Sequence, residues 1–403
     1  MASATAALPA GSAPTARRRR FPAARLPAAI LAAATLLAPL LVTLAPATPA
    51  QATPTRTEPT QADPTKADPA QKEPSQTGPT QTGPTQAGPT RYPLTLSNCG
   101  RDVTFPHAPQ RAVSIGQNET EIMLSLGLGD RLVGTALWVG PVLPELAGAN
   151  ARIPRLADND PSFESVVGRE PDLVTAQFEW HLGPHGAVGR REQFDALGIP
   201  TYVARTDCTG KDNSGSGDGV RRTPFDLSQL YGEIRDLAAI FDVQDRGEAL
   251  IRKLQAREAA AVAAVAPLRG RAIPTLFWFS SRDVAGDAFV AGTNGAPAAI
   301  MRILGLRNVI TTEDEWPTVG WETIAAAAPR LIVLGEMSRR RFPADDAAVK
   351  RRFLETDPVA REIPAVRAGQ VITVDAQSMN PTMRTIDGIE AVARGLQNLG
   401  TAP

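Results

Sequence analysis

The feature that most constrains this fold is a short unit that occurs twice, about 150 residues apart. Each copy begins as a short helix led by a glutamate, Glu164 in the first and Glu322 in the second. A Pro-Asp or Pro-Arg pair follows, and then an apolar run typical of a buried β-strand, around Leu173 and from Leu331. The repetition predicts two similar lobes, each with one acidic residue at an equivalent place on its surface.

The rest of the folded part alternates short β-rich runs with helical runs. Strand runs such as 112–115 and 273–279 are followed by apolar residues at helical spacing, and a helix ends at Gly129. Strands that alternate with helices indicate an α/β fold with a parallel sheet covered on both faces. We therefore predict two Rossmann-like lobes, an N-terminal lobe at 92–225 and a C-terminal lobe at 269–403, with a ligand cleft between them.

A helical segment, residues 226–268, separates the two lobes. Its second part, 243–268, is rich in Ala, Glu, Arg and Gln and predicts a single helix. Its 26 residues, at about 1.5 Å each, would span about 39 Å, which exceeds the needs of one small lobe. We expect this helix to act as a rigid strut between the lobes.

In their order and spacing, the two units resemble the pattern of the solute-binding proteins that feed ABC importers of ferri-siderophores, haem and cobalamin. The resemblance covers about residues 98–400 and implies the same inter-lobe helix. It also implies that Glu164 and Glu322 dock onto arginines of the membrane permease, where paired charges would fix orientation. Alternatively, each glutamate only offsets the dipole of its own helix, which is worth about 0.3–1 kcal/mol.

The residues before the N-terminal lobe are expected to serve export and display. Residues 1–52 look like a signal segment, with a basic stretch, an apolar run and an A-x-A cleavage pattern ending at Ala52. The apolar run is about 20 residues, long enough to stay uncleaved as a membrane tether, and Sec and twin-arginine export both remain open. Residues 53–91 form a linker with a proline at every fifth position, typical of an extended stalk or a disordered spacer.

Two cysteines occur, Cys99 and Cys208. In an exported chain an even cysteine count favours a disulfide, which would join the start of the folded part to the loop after the strand near Tyr202. Two free structural thiols are the alternative. No cysteine follows the apolar run, which argues against a lipid anchor and departs from the usual pattern of the family in bacteria with a single membrane.

The residues just past the predicted strand ends are the candidates for the cleft, because open α/β sheets bind ligands at the carboxyl ends of their strands. Aromatic faces with one or two cations suit a bulky, partly apolar and anionic chelate. Trp316 stands just before the Glu322 helix, as a cleft tryptophan does in the cobalamin binders of the family, whereas Trp278 is expected in the core. The ligand-binding candidates are Gln117, Asn118, Trp138, Asn159, Phe178, Trp180, Phe279, Arg282, Trp316 and Arg384.

Patterns for other kinds of site are weak. His181 and His185 have the spacing of zinc ligands on a helix, but Gly183-Pro184 interrupts it, so no metal site is predicted. The run from Asp212 begins like a calcium loop, yet its twelfth position is Thr223 rather than glutamate, which predicts a surface loop. No nucleophile elbow, Walker loop or dinucleotide fingerprint occurs, so neither catalysis nor a cofactor is expected.

The leading interpretation is an exported, monomeric protein that binds a metal chelate, with a ferri-siderophore favoured, and delivers it to ABC permease subunits. Haem and cobalamin are alternative ligands in the same role. A secreted enzyme on a two-lobed scaffold and a surface sensor or adhesion module are the alternatives from other classes. Basic and acidic residues balance at 42 each, which gives no support to nucleic-acid binding.

Overall fold

A computed structural model of the chain describes residues 88–215 and 219–398. The described residues fall within one compact unit. The predicted signal, residues 1–52, and most of the predicted linker, 53–91, lie outside the described residues, so both stay predictions. Within the described residues, no helix combines the length and the apolar character needed to cross a membrane.

The N-terminal lobe begins with a hairpin and continues as alternating strands and helices. Its elements are β1 (Leu94–Asn98), β2 (Arg101–Phe105), β3 (Ala112–Ile115), α1 (Gln117–Ser125), β4 (Leu132–Ala136), α2 (Ala147–Asn150), β5 (Arg155–Ala157), α3 (Phe163–Val167), β6 (Leu173–Ala176), α4 (Arg191–Asp195), β7 (Thr201–Val203), α5 (Arg205–Cys208), β8 (Lys211–Asp212) and β9 (Val220–Arg221).

Five of these strands form one parallel sheet in the order β5-β4-β3-β6-β7. The first strand of the sheet, β3, lies at its centre, and every residue of β3 and β6 is buried. Their small and apolar residues suit a strand that is covered on both faces. The predicted parallel sheet is confirmed, whereas the short hairpins β1–β2 and β8–β9 were not predicted.

The first hairpin is fixed to the edge of this sheet by the disulfide. Cys99 lies in the turn between β1 and β2 and is bonded to Cys208 at the end of α5. Beside the bridge, Asn98 Nδ2 donates to Val203 O (2.7 Å), and Asn98 Oδ1 accepts from Val203 N (2.9 Å). The predicted disulfide is confirmed, and it joins the start of the folded part to β7.

The helical segment consists of α6 (Leu227–Ile240) and α7 (Gln244–Ala264). α7 has 21 residues, or about 32 Å, and ends before the predicted boundary at residue 268. The reason is Pro267, which lacks an N–H and disfavours helical backbone in the residue before it.

Hydrogen bonds connect the two ends of α7 to different lobes. Arg246 Nη1 donates to Leu126 O in the N-terminal lobe (3.1 Å), and Gln397 Nε2 of the C-terminal lobe donates to Ala264 O (3.2 Å). The predicted strut between the lobes is therefore confirmed in position, though it is shorter than expected.

The folded part starts slightly earlier than the predicted linker boundary at residue 91. Thr90 N donates to Asp242 Oδ1 (2.7 Å), and the Thr90 hydroxyl donates to Ala239 O (2.7 Å). The Tyr92 hydroxyl donates to Ile240 O (2.7 Å). These bonds anchor the entering chain at the point where α6 and α7 meet.

The C-terminal lobe repeats the alternation of strands and helices. Its elements are β10 (Pro274–Ser280), β11 (Ala288–Val290), α8 (Ala296–Leu304), β12 (Arg307–Asn308), β13 (Thr318–Val319), α9 (Trp321–Ala326), β14 (Leu331–Glu336), α10 (Ala347–Thr356), α11 (Pro364–Arg367), β15 (Val371–Asp375) and α12 (Thr385–Asn398).

The sheet of the C-terminal lobe is mixed. β10, β14 and β15 are parallel neighbours, as predicted, and β12 also pairs in parallel with β10. On the other side, β11 and β13 complete the sheet with antiparallel pairing. These two strands have three and two residues, too few for the sequence to show an alternating pattern.

The two lobes meet at a buried polar contact, which we call the inter-lobe joint (Asn118, Glu121, Met383 and Arg384). Asn118 Oδ1 of α1 accepts from Met383 N (2.8 Å), and Glu121 Oε2 accepts from Arg384 Nε (2.9 Å). Arg384 Nη2 also donates to Pro141 O (2.6 Å). Asn118 and Arg384 are 3% and 7% exposed, so the joint connects α1 to the start of α12 out of contact with bulk water.

Two carboxyl groups are buried beside the inter-lobe joint, Glu119 on α1 and Glu233 on α6. Asn118 Nδ2 donates to Glu233 Oε1 (2.8 Å), and Thr206 donates through its N and Oγ1 to Glu233 Oε2 (3.2 and 3.0 Å). Burial raises the pKa of both groups, that of Glu233 to about 7, and repulsion by Glu233 further raises the pKa of Glu119. The folded protein therefore keeps a proton on this pair at pH values where the unfolded chain has lost it.

This pair should make folding stability depend on pH. Because its folded pKa is raised, the stabilisation from Glu233 is complete below about pH 4.5 and is lost as pH rises through about 7, at about 1.4 kcal/mol per pH unit for each proton. The raised pKa of Glu119 gives a loss of the same sign. Replacing Glu119→Gln removes one titrating group, so its free energy of unfolding should fall less steeply than that of the wild type. Urea unfolding between about pH 5 and pH 8 measures both slopes. The exposed Glu355→Gln serves as a control, and equal slopes for Glu119→Gln and the wild type would contradict the assignment.

Candidate functional site

A cavity of about 310 Å³ lies between the lobes, at the carboxyl ends of their strands. We call it the central cavity. The ends of β4 and β6 contribute from the N-terminal lobe, and the ends of β10, β14 and β15 contribute from the C-terminal lobe. Its lining residues are Leu137, Val139, Gln177, Phe178, Phe279, Ser280, Phe289, Met337, Arg339, Arg341, Phe342, Asp345, Gln377 and Asn380.

Aromatic side chains form much of the wall of the central cavity. Phe178 comes from the N-terminal lobe, and Phe279, Phe289 and Phe342 come from the C-terminal lobe. Phe279 also contacts Trp316, with ring centroids 4.7 Å apart. The wall can therefore bury the flat or apolar faces of a ligand, with a smaller polar component to orient it.

Phe178 also lines a smaller cavity of about 50 Å³, together with Trp316 and several charged side chains. In this smaller cavity Arg221 Nε of the N-terminal lobe forms an ion pair with Glu315 Oε2 of the C-terminal lobe (3.3 Å). This pair is a second charged contact between the lobes, and both of its partners are largely buried.

A buried lysine supports the wall from behind. Lys350 Nζ donates to the carbonyl oxygens of Gly335 (2.7 Å), Trp278 (3.4 Å) and Phe279. It thereby connects the carboxyl ends of β10 and β14, and burial lowers its pKa to about 7. Trp278 itself is fully buried and packs edge-on against Trp321, with centroids 4.6 Å apart, which confirms its predicted place in the core.

Three consecutive arginines follow β14, and their environments differ. Arg340 forms ion pairs with Glu336 and Asp346 (2.8 Å each), within its own lobe. Arg339 and Arg341 line the central cavity, and among residues 88–215 and 219–398 neither forms an ion pair with a carboxylate. Within the described residues, no carboxylate therefore forms an ion pair with either of the two cavity arginines.

The carboxylate of Asp345, which also lines the central cavity, has a structural role. It accepts hydrogen bonds from the backbone N of Arg341 (2.6 Å) and Phe342 (2.8 Å), and from the Ser280 hydroxyl. These bonds shape the loop after β14 and hold it against the end of β10. The acid therefore orders the arginine-bearing loop.

Three of the predicted ligand residues form hydrogen bonds with other parts of the protein and do not line the central cavity. Asn118 and Arg384 belong to the inter-lobe joint, and Arg384 also pairs with Asp375 (2.9 Å). Gln117 is 2% exposed; its Nε2 donates to Pro141 O, and its Oε1 accepts from two backbone amides of the loop after β4. Gln117 and Asn118 follow the end of β3 as predicted, but all three residues face the joint rather than the cavity.

Three further candidates lie away from the cavity wall. Trp138 is 4% exposed, with its Nε1 on Thr135 Oγ1 (3.3 Å), while its neighbours Leu137 and Val139 line the cavity. Trp180 stacks on His181, with centroids 4.2 Å apart. Arg282 is exposed in the loop between β10 and β11.

The remaining candidates lie at or near the cavity. Phe178 and Phe279 are in its wall, Trp316 is behind Phe279, and Asn159 Oδ1 accepts from Arg339 Nη1 (2.6 Å). Arg339 and Arg341 were not predicted, although both follow the predicted strand at Leu331–Leu334. The rule that ligands bind past strand ends could have found them.

The two repeated glutamates occupy equivalent positions, as the repetition predicted. Glu164 and Glu322 are each the second residue of a short helix, α3 and α9, and both are exposed. The strands that follow, β6 and β14, each lie next to the first parallel strand of their sheet, β3 and β10. The docking role of these glutamates remains a prediction.

His181, whose spacing from His185 is that of helical zinc ligands, lies beside an acidic residue. His181 Nε2 is 3.2 Å from Asp160 Oδ1, and its side chain is fully buried. Within the part of the chain that the structure describes, no group of three or more His, Cys, Asp or Glu side chains is arranged to hold a metal ion.

Comparison with known proteins places these features in a family. The family model described as periplasmic binding protein matches residues 113–378. An uncharacterized ABC transporter substrate-binding lipoprotein of Bacillus subtilis is 21% identical over 76% of this chain and 86% of its own length. A vitamin B12-binding protein of Vibrio campbellii is 25% identical over 74% of this chain and 94% of its own.

A solved structure shares the fold. It is described as an ABC-type Fe3+-hydroxamate transport system from Saccharomonospora viridis, and it aligns with a TM-score of 0.59 and 25% identity. The alignment covers 77% of this chain and all of the other. With the two α/β lobes, the strut helix and the cavity between the strand ends, the match over residues 113–378 shows that this chain belongs to the periplasmic binding protein family.

Proposed function

We propose that this protein is an extracytoplasmic solute-binding protein that captures an anionic metal chelate, with a ferri-siderophore favoured, and delivers it to an ABC importer. One observation carries the proposal: an aromatic cavity between the lobes contains two arginines whose charges no described carboxylate neutralises. A low-dielectric wall strengthens the attraction between these charges and an anionic ligand.

The charge pattern distinguishes the cavity from the rest of the lobe contact. Two buried inter-lobe arginines, Arg221 and Arg384, each have a carboxylate partner, Glu315 and Glu121. Arg340, between the two cavity arginines, is also neutralised. In the described part of the chain, the positive charges at the cavity thus have no carboxylate partner, and an anionic ligand would supply one.

The relatives support the transport role. One is named a substrate-binding lipoprotein of an ABC transporter, and the related structure is named as part of an Fe3+-hydroxamate transport system. The predicted signal at residues 1–52 and the proline-rich stalk agree with export and display outside the membrane, either as a released chain or through an uncleaved tether.

Binding without catalysis fits the lining of the cavity. Asp345, the carboxylate that the described lining contains, is engaged by Ser280 and by two backbone amides. A general acid or base must instead reach the reacting group of a substrate. We therefore favour a binding protein over an enzyme.

Cobalamin is the second candidate ligand. The Vibrio campbellii relative is named a vitamin B12-binding protein, and Trp316 packs behind Phe279 just before the Glu322 helix. Cobalamin would contact the aromatic wall, but its binding would depend less on the charges of the cavity arginines. The two candidates therefore differ in how strongly binding should depend on Arg341.

The ligand proposal is tested by replacing Arg341→Gln. An anionic ferric tris-catecholate should bind about tenfold more weakly, because one charge-assisted hydrogen bond to the ligand is lost. Quenching of tryptophan fluorescence during titration measures the dissociation constant. Arg340→Gln removes the same charge from the neighbouring position and should bind as the wild type does. Tighter wild-type binding of cobalamin than of any ferric chelate, unaffected by Arg341→Gln, would favour the second candidate.

The docking proposal is tested by charge reversal at Glu164→Lys and Glu322→Lys together. Uptake of the labelled chelate by cells should be abolished, because the complementary charges that orient the complex would now repel. The dissociation constant of the purified variant should equal that of the wild type, since both residues are exposed and outside the cavity. Glu355→Lys, an exposed reversal on α10, controls for net charge. Normal uptake by the double variant would refute docking through these residues.

A further inference from the structure

Arg339 of the C-terminal lobe reaches across to the N-terminal lobe. Its Nη1 lies 2.6 Å from Asn159 Oδ1, 3.2 Å from Trp138 O and 3.3 Å from Asp158 O. The three acceptors come from the loops after β4 and β5. One guanidinium thus connects the loop after β14 to two loops of the opposite lobe.

The loops that receive Arg339 are already fixed to each other. Leu137 N donates to Asn159 O (3.2 Å), and Trp138 N donates to Asp158 O (3.0 Å). Leu137 and Val139, on either side of Trp138, line the central cavity, as Arg339 does. The contact is therefore part of the cavity wall, and separating the lobes at this edge must break it.

The acceptors of Arg339 differ from those of Arg221 and Arg384, the two inter-lobe arginines that are paired with carboxylates. All three acceptors of Arg339 are uncharged oxygens, two from the backbone and one from an amide. A hydrogen bond between two ionised groups is stronger than one to a neutral acceptor. An anionic oxygen in the cavity would therefore be a better partner for Arg339 than the oxygens it now contacts.

Solvent exposure also distinguishes Arg339 from the two arginines that are paired with carboxylates. Arg339 is exposed, whereas Arg384 and Arg221 are buried and paired with carboxylates. The buried pairs are expected to persist when the lobes move, since an unpaired buried charge is costly. Of these three arginines, Arg339 is thus the one whose contact can exchange.

We propose that Arg339 is a latch that holds the ligand-free cleft closed and that an anionic ligand takes over when it enters. An uncharged ligand has to break the latch without replacing its hydrogen bonds. Arg339 thereby selects ligands with anionic oxygen. The selection rests on the proposed binding function, whereas the closure of the empty cleft does not.

The latch has a signature that a simple ligand contact lacks. Removing Arg339 should weaken binding of an anionic chelate, because its partner is gone. The same change should strengthen binding of an uncharged chelate, because the closed state no longer competes with entry. Opposite signs for the two chelates therefore distinguish a latch from an ordinary contact residue.

The first experiment uses the ligand-free protein. Spin labels at Leu197→Cys and Glu355→Cys, exposed positions in the two lobes, report the distance between the lobes by pulsed electron resonance. Arg339→Gln should shift or broaden the distance distribution towards open states, and Arg340→Gln should leave it unchanged. An unchanged distribution in Arg339→Gln would overturn the latch, whatever ligand the protein binds.

The second experiment titrates an anionic ferric tris-catecholate and an uncharged ferric tris-hydroxamate into the wild type, Arg339→Gln and Arg340→Gln. We expect Arg339→Gln to lose about tenfold in affinity for the catecholate and to gain severalfold for the hydroxamate. Loss for the catecholate with no change for the hydroxamate would reduce Arg339 to a ligand contact. If the wild type binds neither chelate, the proposed function fails, while the distance measurement still decides whether the latch exists.

Discussion

The arrangement of the two lobes depends on the inter-lobe joint, above all on the Arg384 guanidinium. It bonds Glu121 and Pro141 of the N-terminal lobe and also pairs with Asp375 of its own lobe. A buried ion pair adds little net stability when it forms, but removing one partner costs roughly 3–5 kcal/mol. The joint therefore acts through specificity: arrangements of the lobes that leave Arg384 or Glu121 unpaired are strongly disfavoured.

This constraint decides which parts of the cleft can move. The strut α7 is bonded to both lobes, and the ion pair between Arg221 and Glu315 is largely buried. At the edge formed by the loops after β4, β5 and β14, the inter-lobe contact is the exposed Arg339 with its neutral acceptors. Small motions are therefore expected at this edge, about a hinge at the joint, rather than a large closure of the two lobes.

The fold could be predicted from the sequence because local signals and burial agree. The end of α8 is an example, since Gly305 ends it in a left-handed conformation and its apolar residues keep helical spacing. The cavity residues were predicted less well. Strand ends identify positions but not side-chain directions, so Gln117, Asn118 and Arg384 were chosen as ligand contacts although the joint uses them. Only the tertiary structure shows which polar groups are already paired.

The cavity arginines also show that the sequence does not reveal which charged groups are paired. In the sequence Arg339, Arg340 and Arg341 form one uniform basic run. In the structure the middle residue is neutralised by Glu336 and Asp346, while its neighbours face the cavity. Asp345 produces this separation, because its bonds to two backbone amides turn the loop after β14. The ligand preference we propose thus follows from the carboxylates near the cavity, which are already bonded to Arg340 or to backbone amides.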